Sequence, residues 1–198
     1  MTSGNGFSGS SFDFGNSVMR LSPDLTLMDW FSPANWKQLN AADIDLGSMG
    51  PTLIQGGLIF QAGKGGKGYL LNTDNLGHIG NELFSGPIGQ GAYGGAAYSP
   101  PYIFVPTTNG LLALVVDSSP SFKVAWSSPS FSAGPPVVAG ETVLTVDITS
   151  GTLYTLSIDK GSILSQISLG SVVHFTTPTL SNGHVFIAAN RQIVSLSP

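Results

Sequence analysis

Cysteine is absent from the 198-residue chain, which removes a disulfide scaffold, a thiolate zinc site and a cysteine nucleophile from consideration while leaving the redox compartment open. Charge is scarce. Charged residues make up 9% of the sequence, against roughly 25% in an ordinary soluble domain. Five Lys and two Arg, scattered along a chain of net charge −4, cannot neutralise a run of phosphates, so nucleic-acid binding through a basic face is excluded. Glutamate occurs twice, at Glu82 and Glu141, too rarely for a helix bundle or coiled coil, which need helix formers at helical spacing. Long apolar runs are missing too: nothing approaches the roughly 18 residues of a membrane span. The N-terminal MTSGNGFSGSSFDFG has neither the basic start nor the apolar core of a signal peptide. Either the protein is cytoplasmic or its natural chain starts upstream.

What the chain has is turn chemistry and short apolar runs. Gly (26) and Pro (13) together make about a fifth of it, against roughly 12% on average, and the fold class this predicts is all-β. Five segments repeat: SVMRL (17–21), KGYLL (67–71), GLLAL (110–114), TLYTL (152–156) and QIVSL (192–196). Their last residues, Leu21, Leu71, Leu114, Leu156 and Leu196, are spaced by 50, 43, 42 and 40. Five positions before each Leu stands Asn16, Gly66, Asn109, Gly151 or Arg191. Four of these five are Gly or Asn, which tolerate the positive φ of a tight hairpin.

Upstream of four repeats lies an apolar run rich in β-branched and aromatic residues, LIF (58–60), YIFV (102–105), TVLTV (142–146) and HVFIA (184–188). Before these come GPTLI (50–54), GAAYS (95–99), GPPVV (134–138) and TPTLS (177–181), and after three of the repeats come LTLMDWF (25–31), FKVAW (122–126) and ILSQISL (163–169). The unit reads as four antiparallel strands in about 40 to 50 residues, the signature of a β-propeller blade. An ordinary sandwich would not repeat one apolar pattern at that period. At least fifteen short strands are expected.

NGLLALVVDSSPSFKVAW (109–126) resembles the repeat of the pyrroloquinoline-quinone (PQQ)-type propeller family, in which a Leu-Tyr-Ala-Leu-Asp strand, a Thr-Gly turn and a closing Trp follow one another. SGTLYTLSIDKGSILSQ (150–166) and SVMRLSPDLTLMDW (17–30) are similar. The resemblance covers nearly the whole chain from about Phe12, and it implies that Trp30 and Trp126 pack between neighbouring blades. The segment 63–84 has no Trp, and Gln166 stands near the Trp place of another blade. The predicted organisation is a flexible lead-in (1–11), a partial blade (12–31), a long loop (32–50), blades at 51–94, 95–133 and 134–176, and a partial blade (177–198). The third strand then occurs five times, which reads as an arc of about four blades from a larger ring. The alternative is a small closed ring with SVMRL or QIVSL displaced. Exposed blade edges would favour self-association.

The loop SPANWKQLNAADIDLGSMG (32–50) is the one long connection, and loops of this length commonly carry function. A helical turn can start after Ser32-Pro33. Asn40, Asp43 and Asp45 are candidate oxygen ligands for calcium; alternatively the two Asp residues cap turns. NAADIDLGS is similar to the Asp-x-Asp stretch of quinoprotein dehydrogenases, without its His. GKGGKG (63–68) lacks phosphate-loop spacing and reads as a hairpin turn whose Lys64 and Lys67 could meet a carboxylate ligand. His78, His174 and His184 share no metal spacing, and Tyr69, Tyr102 and Tyr154 read as packing residues.

Two functional readings follow. The first is a non-catalytic binding or scaffold propeller that engages a protein or small ligand through its loops, with no cofactor beyond a possible calcium. The second is a fragment of a PQQ-dependent dehydrogenase, whose quinone would carry the redox chemistry. Family enzymes set an adjacent cysteine pair against the quinone, which this chain cannot do, so the first is preferred. The resemblance also implies an extracellular or periplasmic setting.

Overall fold

The computed structural model describes residues 1–9 and 11–197. It divides into two compact units, residues 1–92 with 116–122, and 93–115 with residues from 123 onward. The described residues form eighteen strands in five sheets with one short helix.

In the first unit, β1 (Val18–Leu21) pairs antiparallel with β2 (Leu27–Ser32), Val18 facing Phe31 and Met19 facing Trp30. Along the other edge of β1 run residues 1–4. Thr2 bridges Val18, the Ser3 N–H donates to Ser17 O at 2.8 Å, and the Met19 N–H donates to Met1 O at 2.8 Å. The lead-in that reads as flexible is thus tied down over its first residues, because an open strand edge offers N–H and C=O groups that any adjacent extended segment can satisfy.

The long connection holds α1 (Trp36–Ala41) and a 3-10 turn at Leu46–Ser48. The helix starts later than the Ser32-Pro33 signal suggests. Ser32 still belongs to β2 and its hydroxyl donates to Asn16 O at 3.0 Å, while Pro33 O accepts the Trp36 N–H. Then come β3 (Thr52–Ile54), β4 (Leu58–Ala62) and β5 (Lys67–Asn72), followed by β6 (His78–Ile79) and β7 (Phe84–Pro87). The second sheet has the order β3-β4-β5-β7, whereas β6 joins the first sheet by running parallel to β2.

In the second unit, apart from the strand-end residues Val116 and Phe122, β8 (Ala97–Ser99), β9 (Tyr102–Thr107), β10 (Gly110–Val116) and β11 (Phe122–Ser127) make the third sheet. The fourth contains β12 (Val137–Ala139), β13 (Thr142–Asp147), β14 (Thr152–Ser157) and β15 (Ile163–Ser168). The fifth has three strands, β16 (Thr179–Ser181), β17 (His184–Ala189) and β18 (Gln192–Leu196).

The repeat is visible in the register. Leu71 faces Ile59, Leu114 faces Ile103, Leu156 faces Val143 and Leu196 faces Val185, so four of the five leucines sit at one place in successive sheets. The fifth, Leu21, faces Leu27 of the following strand. The turns ahead of them use positive φ at Asn16, Gly66, Gly151 and Arg191; in the third sheet the role moves one residue on, to Gly110. Because side chains alternate across a strand, one face of each sheet meets its neighbour. Phe104, Leu111, Ala113 and Trp126 of the third sheet pack on Val143 and Leu156 of the fourth. Leu144, Val146 and Leu153 of the fourth pack on Ile187, Ala189 and Val185 of the fifth. In the first unit, Val18 and Phe31 meet Tyr69 and Leu71.

Candidate functional site

The long loop folds back onto the hairpin between β4 and β5. The Lys64 ammonium bonds Asp45 Oδ2 and lies 3.3 Å from Asp43 Oδ2. The Asp45 carboxylate, then that of Asp43, raises the Lys64 pKa above the ordinary lysine value. Asn5 completes the carboxylate partners, its N–H donating to Asp45 Oδ1 at 3.0 Å and its amide to Asp43 Oδ1 at 2.9 Å. Asn40 turns elsewhere: its Oδ1 accepts from Asn16 Nδ2 at 2.6 Å and from the Gly6 N–H at 3.2 Å. The three residues read as calcium ligands therefore do not converge on one point, and the two carboxylates already share a cation in Lys64. This arrangement does not fit a calcium ion, which needs six or more converging oxygens.

Asn16 is a functional position of the framework that sequence reasoning sees only as a turn residue. It is fully buried at positive φ. Its Nδ2 also donates to Asn5 Oδ1 at 3.1 Å, and its Oδ1 accepts the Leu46 N–H at 2.7 Å. One amide thus joins the N-terminal segment, the β1 turn and the long loop. Gln61 does the same from β4: its Nε2 donates to Leu46 O and Met49 O at 3.0 and 2.9 Å, and its Oε1 accepts from Thr2 Oγ1 at 2.9 Å.

Beneath the loop this stitching leaves a cleft of about 90 Å³. Ile44 and Leu39 form apolar walls, Tyr69 lies at its base, and Lys67 stands at its rim with Nζ 5.1 Å from the Tyr69 ring centroid. Burial, with the Glu82 charge second, pushes the Tyr69 phenol up to about 12. Lys67 has no carboxylate within ion-pair distance among the described residues, so its charge is available to a ligand.

The two tryptophans that the repeat pattern equates occupy different settings. Trp126 is 9% exposed, and its Nε1 donates to Ile158 O of the β14–β15 turn at 2.9 Å. Trp30 is half-buried on the face of its sheet opposite the Val18 and Phe31 cluster. It stacks on Phe12 at 4.4 Å and on His78 at 4.8 Å, with Phe14 edge-on. A one-residue difference in register places a strand residue on the opposite face, and Phe31 takes the inward place. Among the repeat leucines, Leu71, Leu114 and Leu156 are fully buried, while Leu21 and Leu196 are half-buried.

His78, at positive φ, places Nε2 3.4 Å from Asp29 Oδ1. Asp29 is buried and also accepts the Leu76 N–H at 2.8 Å, so its task is to hold the 72–84 segment. Ser195 Oγ lies 3.5 Å from His184 Nδ1 on an exposed strand pair, too long a contact to activate a hydroxyl.

No protein-family model and no curated protein matches the chain. Solved structures do. BamB from Moraxella catarrhalis superposes with a TM-score of 0.59 at 17% identity, covering 78% of this chain and 47% of BamB. The Myceliophteria thermophila Cps50 (Swd1) beta-propeller domain gives 0.62 at 12% identity over 90% of this chain and 58% of that one. The computationally designed Ika4 protein gives 0.59 at 8%, over 76% and 89%. The chain thus spans about half the length of BamB. At these identities the likeness is one of fold, and the fold is the β-propeller with four-stranded antiparallel blades.

Proposed function

We propose that the chain is a non-catalytic binding module whose blades form a rigid base and whose loops engage a protein or small-ligand partner bearing a carboxylate. The observation that carries this reading is the cleft under the long loop, where Lys67 presents an uncommitted ammonium above an apolar wall. Its neighbour Lys64 is consumed by Asp45 and Asp43. A carboxylate side chain entering the cleft would find the Lys67 ammonium and the Tyr69 ring, while the Asp45 carboxylate on the same lining is already paired with Lys64, a combination that favours a small acidic group. In the same reading the module belongs to the PQQ-like repeat family and works outside the cytoplasm, a placement supported by the repeat pattern alone. Dehydrogenase chemistry finds no support in the residues: the Asp43 and Asp45 oxygens are engaged by Lys64 and Asn5, and there is no cysteine pair to set against a quinone.

The test is calorimetric titration of the intact chain with N-acetyl-aspartate, N-acetyl-glutamate and short acidic peptides, beside their amides. Binding of an acid but not its amide, lost in Lys67→Gln and kept in Lys64→Gln, supports the reading. No heat with any acid, or equal binding by Lys67→Gln, overturns it.

A further inference from the structure

The fifth sheet carries one face with no neighbour among the described residues, and the repeat says what that face is for. Through its register, Phe186 on β17 stands where Phe60, Phe104 and Leu144 stand in earlier sheets. Ala188 stands where Ala62, Pro106 and Val146 stand, and Ile193 on β18 where Val18, Leu111 and Leu153 stand. Those equivalents are all buried. Leu111 is 0%, Val18 1% and Leu153 2% exposed, whereas Ile193 is 69% exposed. Removing an aliphatic side chain from water is favourable, so an isoleucine in this place, beside an apolar recess lined by Val172, Val173 and Ala188, has the chemistry of an inter-blade face.

A second open apolar surface lies on the first sheet, where Phe14 is exposed against Trp30 of the Phe12 and Trp30 stack and Met28 is exposed two residues before Trp30 on the same face of β2. The two surfaces differ in charge. Residues 171–197 contain no Asp or Glu, and Arg191, at the rim of the recess, is their one Arg or Lys. Beside the first sheet stand the exposed carboxylates of Asp13, between Phe12 and Phe14, and of Asp24, in the β1–β2 turn. Arg20, the one basic residue among residues 1–32, points away to Thr73 O and Asp29.

We propose that these two surfaces pair between copies of the chain, head to tail, the open face of the fifth sheet of one copy covering the Phe14 and Met28 surface of the next, with Arg191 set against Asp13. The contact is heterologous, so each copy offers one of each surface and assembly continues until a ring closes or a filament grows. This does not depend on the loop cleft and its ligand.

The experiment is a light-scattering mass measurement on the full chain over a dilution series, for the wild type, Ile193→Asp and Phe14→Asp, with far-UV circular dichroism and melting as a check of folding. Both altered side chains are exposed; should either variant unfold, Ile193→Ser and Phe14→Ser replace them. The wild type is expected to rise to at least twice the monomer mass and to fall back in high salt. Each variant alone is expected to stay monomeric. An equimolar mixture of the two, having one intact surface apiece, is expected to form a dimer and nothing larger. A monomeric wild type at every concentration overturns the proposal. So does association that survives either substitution, or a mixture that stays monomeric.

Discussion

The third and fourth sheets and the first sheet follow one repeat but are held to their surroundings by different means. Between β8–β11 and β12–β15 the contact is apolar: Phe104, Leu111 and Trp126 lie against Val143 and Leu156. Around the first sheet, amides share the task. Asn16 and Gln61, both without solvent exposure, reach six backbone or side-chain groups in the N-terminal segment and the long loop. An apolar contact tolerates small shifts because it has no direction, whereas a buried amide fixes its partners and is costly when one of them is lost. The first sheet abuts a loop without repeat pattern, and directional bonds can order such a segment where strand pairing cannot.

Four measurements sharpen or break this contrast. The largest effect is expected from Trp126→Ala, which empties an inter-sheet site and should cost about 3 to 5 kcal/mol, a fall in Tm on the order of 10 °C for a chain of this size. Trp30→Ala should cost clearly less, because Trp30 is half-buried; equal losses would erase the distinction between the two tryptophans. Next comes Asn16→Ala, which strands the Leu46 N–H and should cost about 1 to 3 kcal/mol. Asn16→Gly keeps the positive φ, so the difference between the two variants isolates the backbone part, about 1 kcal/mol.

A smaller effect is expected at alkaline pH. The Tyr69 phenol is held neutral up to about 12, above its ordinary value near 10. Its contribution is complete below the ordinary value and is lost as pH rises between the two, when the unfolded chain ionises first. Denaturant midpoints should fall over that range in the wild type and fall less in Tyr69→Phe. The smallest effect is expected in acid. Asp13 lies below the ordinary carboxylate value because Ser8, Gly15 and Phe7 donate their N–H groups to it. Its contribution is complete above that ordinary value and disappears as pH falls through the lowered one. Asp13→Asn should flatten that part of the acid profile while leaving the third and fourth sheets unchanged by hydrogen exchange.

The strands were legible where the chain repeats. The leucine period and the turn residues before it mark all five leucine-ending strands, and eleven other strands follow from apolar runs bounded by Gly and Pro only because those runs recur at the same offset. The strand β7, FSGP, escapes such reading because Gly and Pro are poor strand formers and only its pairing to β5 through Lys67 and Leu70 holds it extended. The short β6 escapes because a parallel two-residue contact has no sequence signal. The loop cluster was legible in part. Asp43 and Asp45 stand close together in sequence, and so read as a ligand pair, but the partner that decides their chemistry, Lys64, comes from the next hairpin. Asn16 reads only as a turn residue and Gln61 carries no signal, since nothing local reveals that their partners are Leu46, Met49 and Asn5.

Gly161 deserves a different kind of scrutiny from the rest of the β14–β15 turn. A Cβ built there would lie 2.3 Å from Trp126 Cε3, and the backbone already sits at φ +65°. Trp126 and Gly161 therefore form a single mutational unit, in which the absence of one side chain is the condition for the presence of the other. A substitution at Gly161 that is damaging beside a tryptophan becomes nearly a plain backbone cost once residue 126 is small, so the two changes should be strongly non-additive. Any redesign or laboratory evolution of this contact has to pass through both positions together, with the glycine the silent half of the pair.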